Sequence, residues 1–186
     1  MFEYYDSKNK IPEFRYKIME NILNNFSIEL HGIKWFEERR KDFEGKGHDN
    51  WVNMIRNNSN YHIILYIKDG DIKGFLCYEY LNDNQVMICE IQIIREYRYK
   101  GYVKKLLKEM MNQINKDKCN TFLAFINSNN EHSINTFTHI GMINTGKYYE
   151  ISYDSLNKYL NNIWKVYVRK QYNKNRLLRI ICNINL

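Results

Sequence analysis

The residues best placed to do chemistry lie in one continuous stretch. Ile88-Cys89-Glu90-Ile91-Gln92-Ile93-Ile94 runs into Arg95-Glu96-Tyr97-Arg98-Tyr99-Lys100-Gly101-Tyr102-Val103, and on into Lys104-Lys105-Leu106-Leu107-Lys108-Glu109-Met110-Met111. The pattern is an apolar strand, a short charged turn with one glycine, and the start of an amphipathic helix. A helix start leaves several backbone N–H groups without partners and aims them at one point, with the helix dipole behind them. Such a junction binds anions, and phosphate suits it best. Two familiar phosphate loops are excluded. There is no G-x-x-x-x-G-K-[ST], and Gly101 has no glycine partners at the spacing of a dinucleotide fingerprint.

The elements that must position this stretch can be read from periodicity and turn residues. Pro12 followed by Ile18, Met19, Ile22 and Leu23 predicts a helix over 12–29, and residues 33–56 predict one or two more, broken around Gly45 and Gly47. Residues 61–67 and 73–80 are β-branched and aromatic runs joined by Asp69-Gly70-Asp71, which predicts a hairpin. Strands are expected over 86–94 and 121–126, with a helix over 101–115 between them. The stripe Val103, Leu106, Leu107, Met110 and Met111 would face the core. Residues 131–140 predict a short helix stopped by Gly141, and 142–152 and 163–169 the last two strands. Hairpins followed by alternating strands and helices predict a mixed, twisted α/β sheet.

A chain of 186 residues with no Pro/Gly/Ser-rich linker and no internal repeat is expected to form one domain, here placed at 1–170. Hydrophobic residues at 44% and aromatics at 15% exclude a disordered chain. No apolar run approaches the length of a membrane span, so no membrane partner is expected, and the N-terminus lacks a signal-peptide pattern. Cys77, Cys89, Cys119 and Cys182 are scattered, without metal-ligand spacing, which predicts reduced thiols, a cytoplasmic protein and no metal site. Charge is uneven. All 21 acidic residues lie at or before Asp154, whereas seven of the 28 Lys and Arg lie beyond it and carry the whole net charge of +7. The basic C-terminal extension, 171–186, is expected to pack on the domain or on a partner, through Leu177, Leu178, Ile181 and Ile184, and a homodimer is one such arrangement. Nucleic acid is a less favoured partner.

Two blocks of residues resemble the GNAT superfamily of acetyl-CoA-dependent N-acetyltransferases. The family's pyrophosphate loop reads [RQ]-x-x-G-x-[GA] after a strand, and Arg98-Tyr99-Lys100-Gly101-Tyr102-Val103 stands in that register. A later family block, N-x-x-[AS]-[IV]-x-x-[YF]-x-x-x-G-[FM], is similar to Asn130-Glu131-His132-Ser133-Ile134-Asn135-Thr136-Phe137-Thr138-His139-Ile140-Gly141-Met142. The family loop is often preceded by V-x-P-E-[YH], where this chain has Ile93-Ile94-Arg95-Glu96-Tyr97; Arg95 departs from that proline, Val103 from a small residue, and Phe137 from the tyrosine of many relatives.

The resemblance implies a sheet of about six or seven strands with helices on both faces. Its fourth and fifth strands, here 86–94 and 121–126, splay to admit the pantetheine arm. Ile91, Gln92 and Ile93 would pair with the cofactor's amides. Backbone N–H groups of Arg98, Tyr99, Lys100, Gly101, Tyr102, Val103 and Lys104 would hold the pyrophosphate, with side-chain charge from Arg98, Lys100, Lys104 and Lys105. Asn130, Ser133 and Phe137 would complete the acetyl-CoA site, Asn130 also serving as a helix cap. Val103 can keep its N–H free if its side chain points into the core.

Acetyl transfer to an amine needs a base for the amine and an acid for the departing thiolate. The resemblance makes Glu90 the candidate base; the plainer reading is a strand glutamate paired with a cation. Phe137 cannot donate a proton, which leaves Tyr148, Tyr149 or solvent as the acid. His132 and His139 read as surface or structural residues. Trp35, Phe36, Glu37, Glu38 and Trp51, with Tyr148, Tyr149, Glu150 and Tyr153, lie where this fold shapes its acceptor site, and acids with aromatics suit a cationic amine. The acceptor is expected to be an amine on a small molecule, a peptide or an aminoacyl-tRNA. The departures at 103 and 137 keep a second reading open: an acyl-CoA-binding module, weak or inactive as a catalyst, that engages a partner through its basic tail.

Overall fold

The computed structural model describes residues 1–39, 48–58 and 60–161. Its elements in chain order are β1 (Phe2–Tyr5), α1 (Glu13–His31), α2 (Ile33–Arg39), α3 (His48–Asn57), β2 (Tyr61–Lys68), β3 (Asp71–Asn82), β4 (Gln85–Ile93), α4 (Tyr102–Gln113), β5 (Thr121–Ala124), α5 (Glu131–Ile140), β6 (Ile143–Asn144) and β7 (Tyr149–Ser152). Residues 153–161 are helical. The seven strands form one sheet in the order β1-β2-β3-β4-β5-β7-β6, antiparallel except at the β4–β5 pair. That pair is parallel because α4 carries the chain back between them.

Apolar side chains fill both faces of the sheet. On one face Leu106, Leu107, Met110 and Met111 of α4 pack with Ile64, Leu76, Ile88, Phe122, Phe137 of α5 and Leu156. On the other, Tyr16, Met19 and Leu23 of α1 and Ile55 of α3 cover Ile63, Leu65, Phe75 and Cys77. The β2–β3 hairpin turns through Asp69 and Gly70, both at positive φ (55° and 82°), which suits the right-handed twist of its strands.

Three expectations are corrected. Residues 142–152 form β6 and β7 instead of one strand, because Gly146 (φ 97°) reverses the chain and donates its N–H to Asn144 Oδ1 at 2.8 Å. β5 stops at Ala124, short of Ile126. β1 and the 153–161 helix were not anticipated; both are held by distant partners, β1 along β2 and the helix through Leu156 and Leu160 on the α4 face. The strand expected at 163–169, the glycines at 45 and 47, and the basic tail lie outside the described residues.

Candidate active site

Pairing between β4 and β5 runs from Gln85↔Thr121 to Ile88↔Ala124 and stops there, while β4 continues to Ile93. Beyond Ile88 the two strands part, so residues 89–93 have no β5 partner. A cavity of about 430 Å³ opens at the gap. It is lined by Cys89, Glu90, Ile91 and Gln92 of β4, by Phe125, Ile126 and Asn127 after β5, by Asn130, Ser133 and Phe137 at α5, and by one side of α1 with Trp35 of α2.

A bulge decides which way Glu90 faces. Glu90 pairs with Cys77 and Ile88 with Tyr78, so Cys89 is an extra residue without a counterpart in β3. Strict alternation would put Ile88 and Glu90 on the same face. With the bulge, Ile88 stays in the α4-side core while Glu90 and Gln92, opposite Cys77 and Phe75, turn toward α1 and the cavity. β3 lies tightly against this segment: a Cβ on Gly74 would sit 2.7 Å from the Gln92 carbonyl oxygen.

Burial among apolar groups pushes the Glu90 carboxyl from its ordinary 4.5 up to about 7, offset in part by the hydrogen bond that Gln92 Nε2 donates to Oε1. The residue keeps some accessible area and lines the cavity. Among the described residues no cation pairs with it. Cys89, the cavity's one cysteine, is pushed by burial up to about 12 and stays a protonated thiol.

The turn after β4 leaves several backbone N–H groups open at the start of α4. A 3₁₀ turn over Arg95–Tyr97 leads to Tyr99 and Gly101, both at positive φ (60° and 78°), and Gly101 caps α4. The first helical bond of α4 is Lys105 N–H to Gly101 O at 3.2 Å, so the N–H groups of Tyr102, Val103 and Lys104 have no intrahelical acceptor. Val103 is partly buried against the α4-side core, as its place in the stripe predicts. The basic side chains are committed elsewhere. Arg98 binds Glu29 at 2.6 Å and the Ile93 carbonyl at 3.0 Å, and its own N–H donates to Arg95 O. Lys100 donates to Glu96 O at 2.7 Å, Lys104 lies over the Tyr159 ring and Lys105 over Tyr102. The groups of this turn left without an intrahelical partner are the main-chain N–H groups at the start of α4, on the positive end of its dipole.

Asn130 caps α5 by accepting from Ser133 N–H at 3.1 Å, and Ser133 and Phe137 follow on the cavity side. Tyr148 and Tyr149 are not brought to the cavity: Lys147 covers the Tyr148 ring, and the Tyr149 hydroxyl meets Asn144. Of the expected acceptor-site residues, Trp35 lines the cavity, Phe36 is buried, and Glu37 and Glu38 are exposed on α2. The side chain of Trp51 lies outside what the structure describes. Phe26, Ser27, Leu30 and His31 of α1 were missed by sequence reasoning, since their helical stripe does not reveal which surface it will cover.

The splay between β4 and β5 and the bulged β4 form the candidate site, and the family assignment agrees with this architecture. The chain belongs to the acetyltransferase (GNAT) family, whose model matches residues 19–142. No curated protein matches the sequence. Among solved structures, it is similar to a GNAT-family acetyltransferase of Staphylococcus aureus (13% identity, TM-score 0.58, 82% of this chain and 99% of the other). The PaiA N-acetyltransferase of Thermoplasma acidophilum, solved with coenzyme A, matches at 14% identity and TM-score 0.58 over 82% and 99% of the two chains. The ribosomal-protein-S18-alanine N-acetyltransferase of Escherichia coli matches at 12% and 0.53 over 82% and 94%. At such identities the likeness establishes the fold. Among the described residues no helix is long and apolar enough to cross a membrane, and no group of His, Cys, Asp and Glu is arranged to hold a metal ion.

Proposed function

We propose that the protein is an N-acetyltransferase that passes the acetyl group of acetyl-CoA to a primary amine by direct attack in a ternary complex. The observation that carries this reading is the bulge at Cys89, which aims a carboxyl with a pKa of about 7 into the gap between β4 and β5. The gap fits the pantetheine arm, with the β4 edge at Ile91, Gln92 and Ile93 offering backbone partners. The turn fits the pyrophosphate through the N–H groups of Tyr102, Val103 and Lys104. Bound acetyl-CoA would supply an activated acyl carbon.

Glu90 accepts the proton that the amine gives up as its nitrogen bonds to the acyl carbon and the C–S bond breaks. A base with a pKa near the working pH is half-ionised there, which favours proton transfer in both directions. The protonated Cys89 supports direct attack over an acyl-cysteine route. The thiolate leaves with its charge and takes a proton from solvent, because Phe137 takes the place of the tyrosine that many relatives carry and, among the described residues, no tyrosine lines the cavity. That same observation favours the second reading, an acyl-CoA-binding module with weak transfer. Free thiols at Cys77, Cys89 and Cys119 support a cytoplasmic site of action. A free-thiol release assay with acetyl-CoA across amines, peptides and aminoacyl-tRNA separates the two readings. Acceptor-dependent release supports transfer, and cofactor binding without release supports the module.

A further inference from the structure

Among the described residues, the acceptor side of the cavity has one carboxylate and several apolar groups. Phe26 and Leu30 of α1, Trp35 of α2 and Phe125 after β5 line it. Two of these keep large areas in solvent, Trp35 at 37% and Phe125 at 70%. Trp35 is held in place: α1 turns into α2 at Gly32 (φ 86°), and the indole packs on the His31 ring at 4.0 Å. Among the described residues Glu90 is the only carboxylate in the lining. The nearest other acid on α1, Glu29, is already bound by Arg98 at 2.6 Å and approached by Arg95 at 3.8 Å.

We infer that the acceptor is a small primary monoamine whose body is aromatic or comparably apolar. One ammonium group can pair with Glu90 while a flat body covers Trp35 and Phe26, gaining apolar burial and aromatic contact. A polyamine or an aminoglycoside would carry several more charges onto these walls, where among the described residues the lining offers no second carboxylate. The inference rests on the transfer reading for its chemistry and on the cavity lining for its selectivity.

The test uses the full chain with saturating acetyl-CoA and follows thiol release from 2-phenylethylamine, tryptamine, spermidine and kanamycin. The expected kcat/KM is at least tenfold higher for the two aryl amines. Trp35→Ala is expected to raise KM for 2-phenylethylamine about tenfold with kcat little changed, and its partly exposed site leaves folding intact, checked by thermal unfolding. Equal rates, or a preference for spermidine or kanamycin, overturn the inference. Titration calorimetry of 2-phenylethylamine and spermidine into the CoA-saturated protein runs alongside. If no amine releases thiol, the transfer reading fails by itself. The calorimetry then decides the subsite: tighter binding of 2-phenylethylamine upholds it, and absent or weaker binding overturns it.

Discussion

Replacing Glu90 with glutamine should make the protein a poorer enzyme and a more stable one at the same time. In the fold this carboxyl holds its proton up to a pH of about 7 instead of 4.5, because burial disfavours its charge. The stability linked to it is therefore present in full below pH 4.5 and is lost as pH rises through 7. At about 1.4 kcal/mol per tenfold in proton affinity, that loss is about 3 kcal/mol by pH 8. Glutamine keeps the shape and never ionises, so Glu90→Gln should raise Tm at pH 8 by about 6–12 °C and leave it unchanged near pH 4. General-base catalysis is worth about 10²–10⁴-fold, so kcat should fall by that factor. Wild-type kcat/KM should rise through an apparent pKa near 7, and the variant should lose that inflection. Scanning calorimetry at pH 4 and pH 8 with thiol-release profiles over the same range makes both measurements. Full turnover in the variant, or an equal Tm at pH 8, would refute the buried-base reasoning.

The neighbouring residues give further expectations. Gln92→Leu removes the hydrogen bond that favours the Glu90 carboxylate, so the kinetic inflection should move to higher pH, with activity reduced at pH 7 and recovered in part at pH 9. An inflection that stays put would show that Gln92 does not tune the base. Gly74→Ala drives a Cβ to 2.7 Å from the Gln92 carbonyl, so β3 and β4 must separate, at about 1–3 kcal/mol. Thermal unfolding should show a Tm lower by several degrees, and calorimetry should show weaker acetyl-CoA binding; an unchanged Tm contradicts the close approach. Phe137→Tyr places a hydroxyl at the cavity wall and should raise kcat several-fold if thiolate protonation limits the rate. An unchanged kcat would show that solvent serves as well.

The turn and its helix were legible in the sequence because their chemistry is local. Gly101 supplies the positive φ, the stripe from Val103 to Met111 fixes which side of α4 is buried, and the free N–H groups follow from helix geometry. Asn130 announced the α5 cap in the same way. Glu90 was legible as a residue, but its orientation was not. Its period-2 neighbours Ile88 and Gln92 would share its face in a regular strand, and only pairing with β3 reveals the bulge that separates Ile88 from the other two. The α1 wall was hidden for a related reason: an amphipathic helix shows its stripe and leaves its target to tertiary packing. Tyr148 and Tyr149 were picked by proximity in sequence to α5; Tyr149 of β7 pairs with the cavity-lining Ala124 of β5, but neither tyrosine is among the lining residues. The signal for the β6–β7 reversal, Asn144-Thr145-Gly146, was present.

The central claim is that the β4–β5 gap and the turn before α4 hold acetyl-CoA. Isothermal titration of acetyl-CoA into the full chain measures this directly. Saturable binding at one site per chain, displaced by free CoA and weakened in a Gly101→Val variant that stays folded at the assay temperature with a Tm lowered by the strain of a β-branched residue at φ 78°, is the predicted result. No detectable heat at millimolar acetyl-CoA would contradict the account.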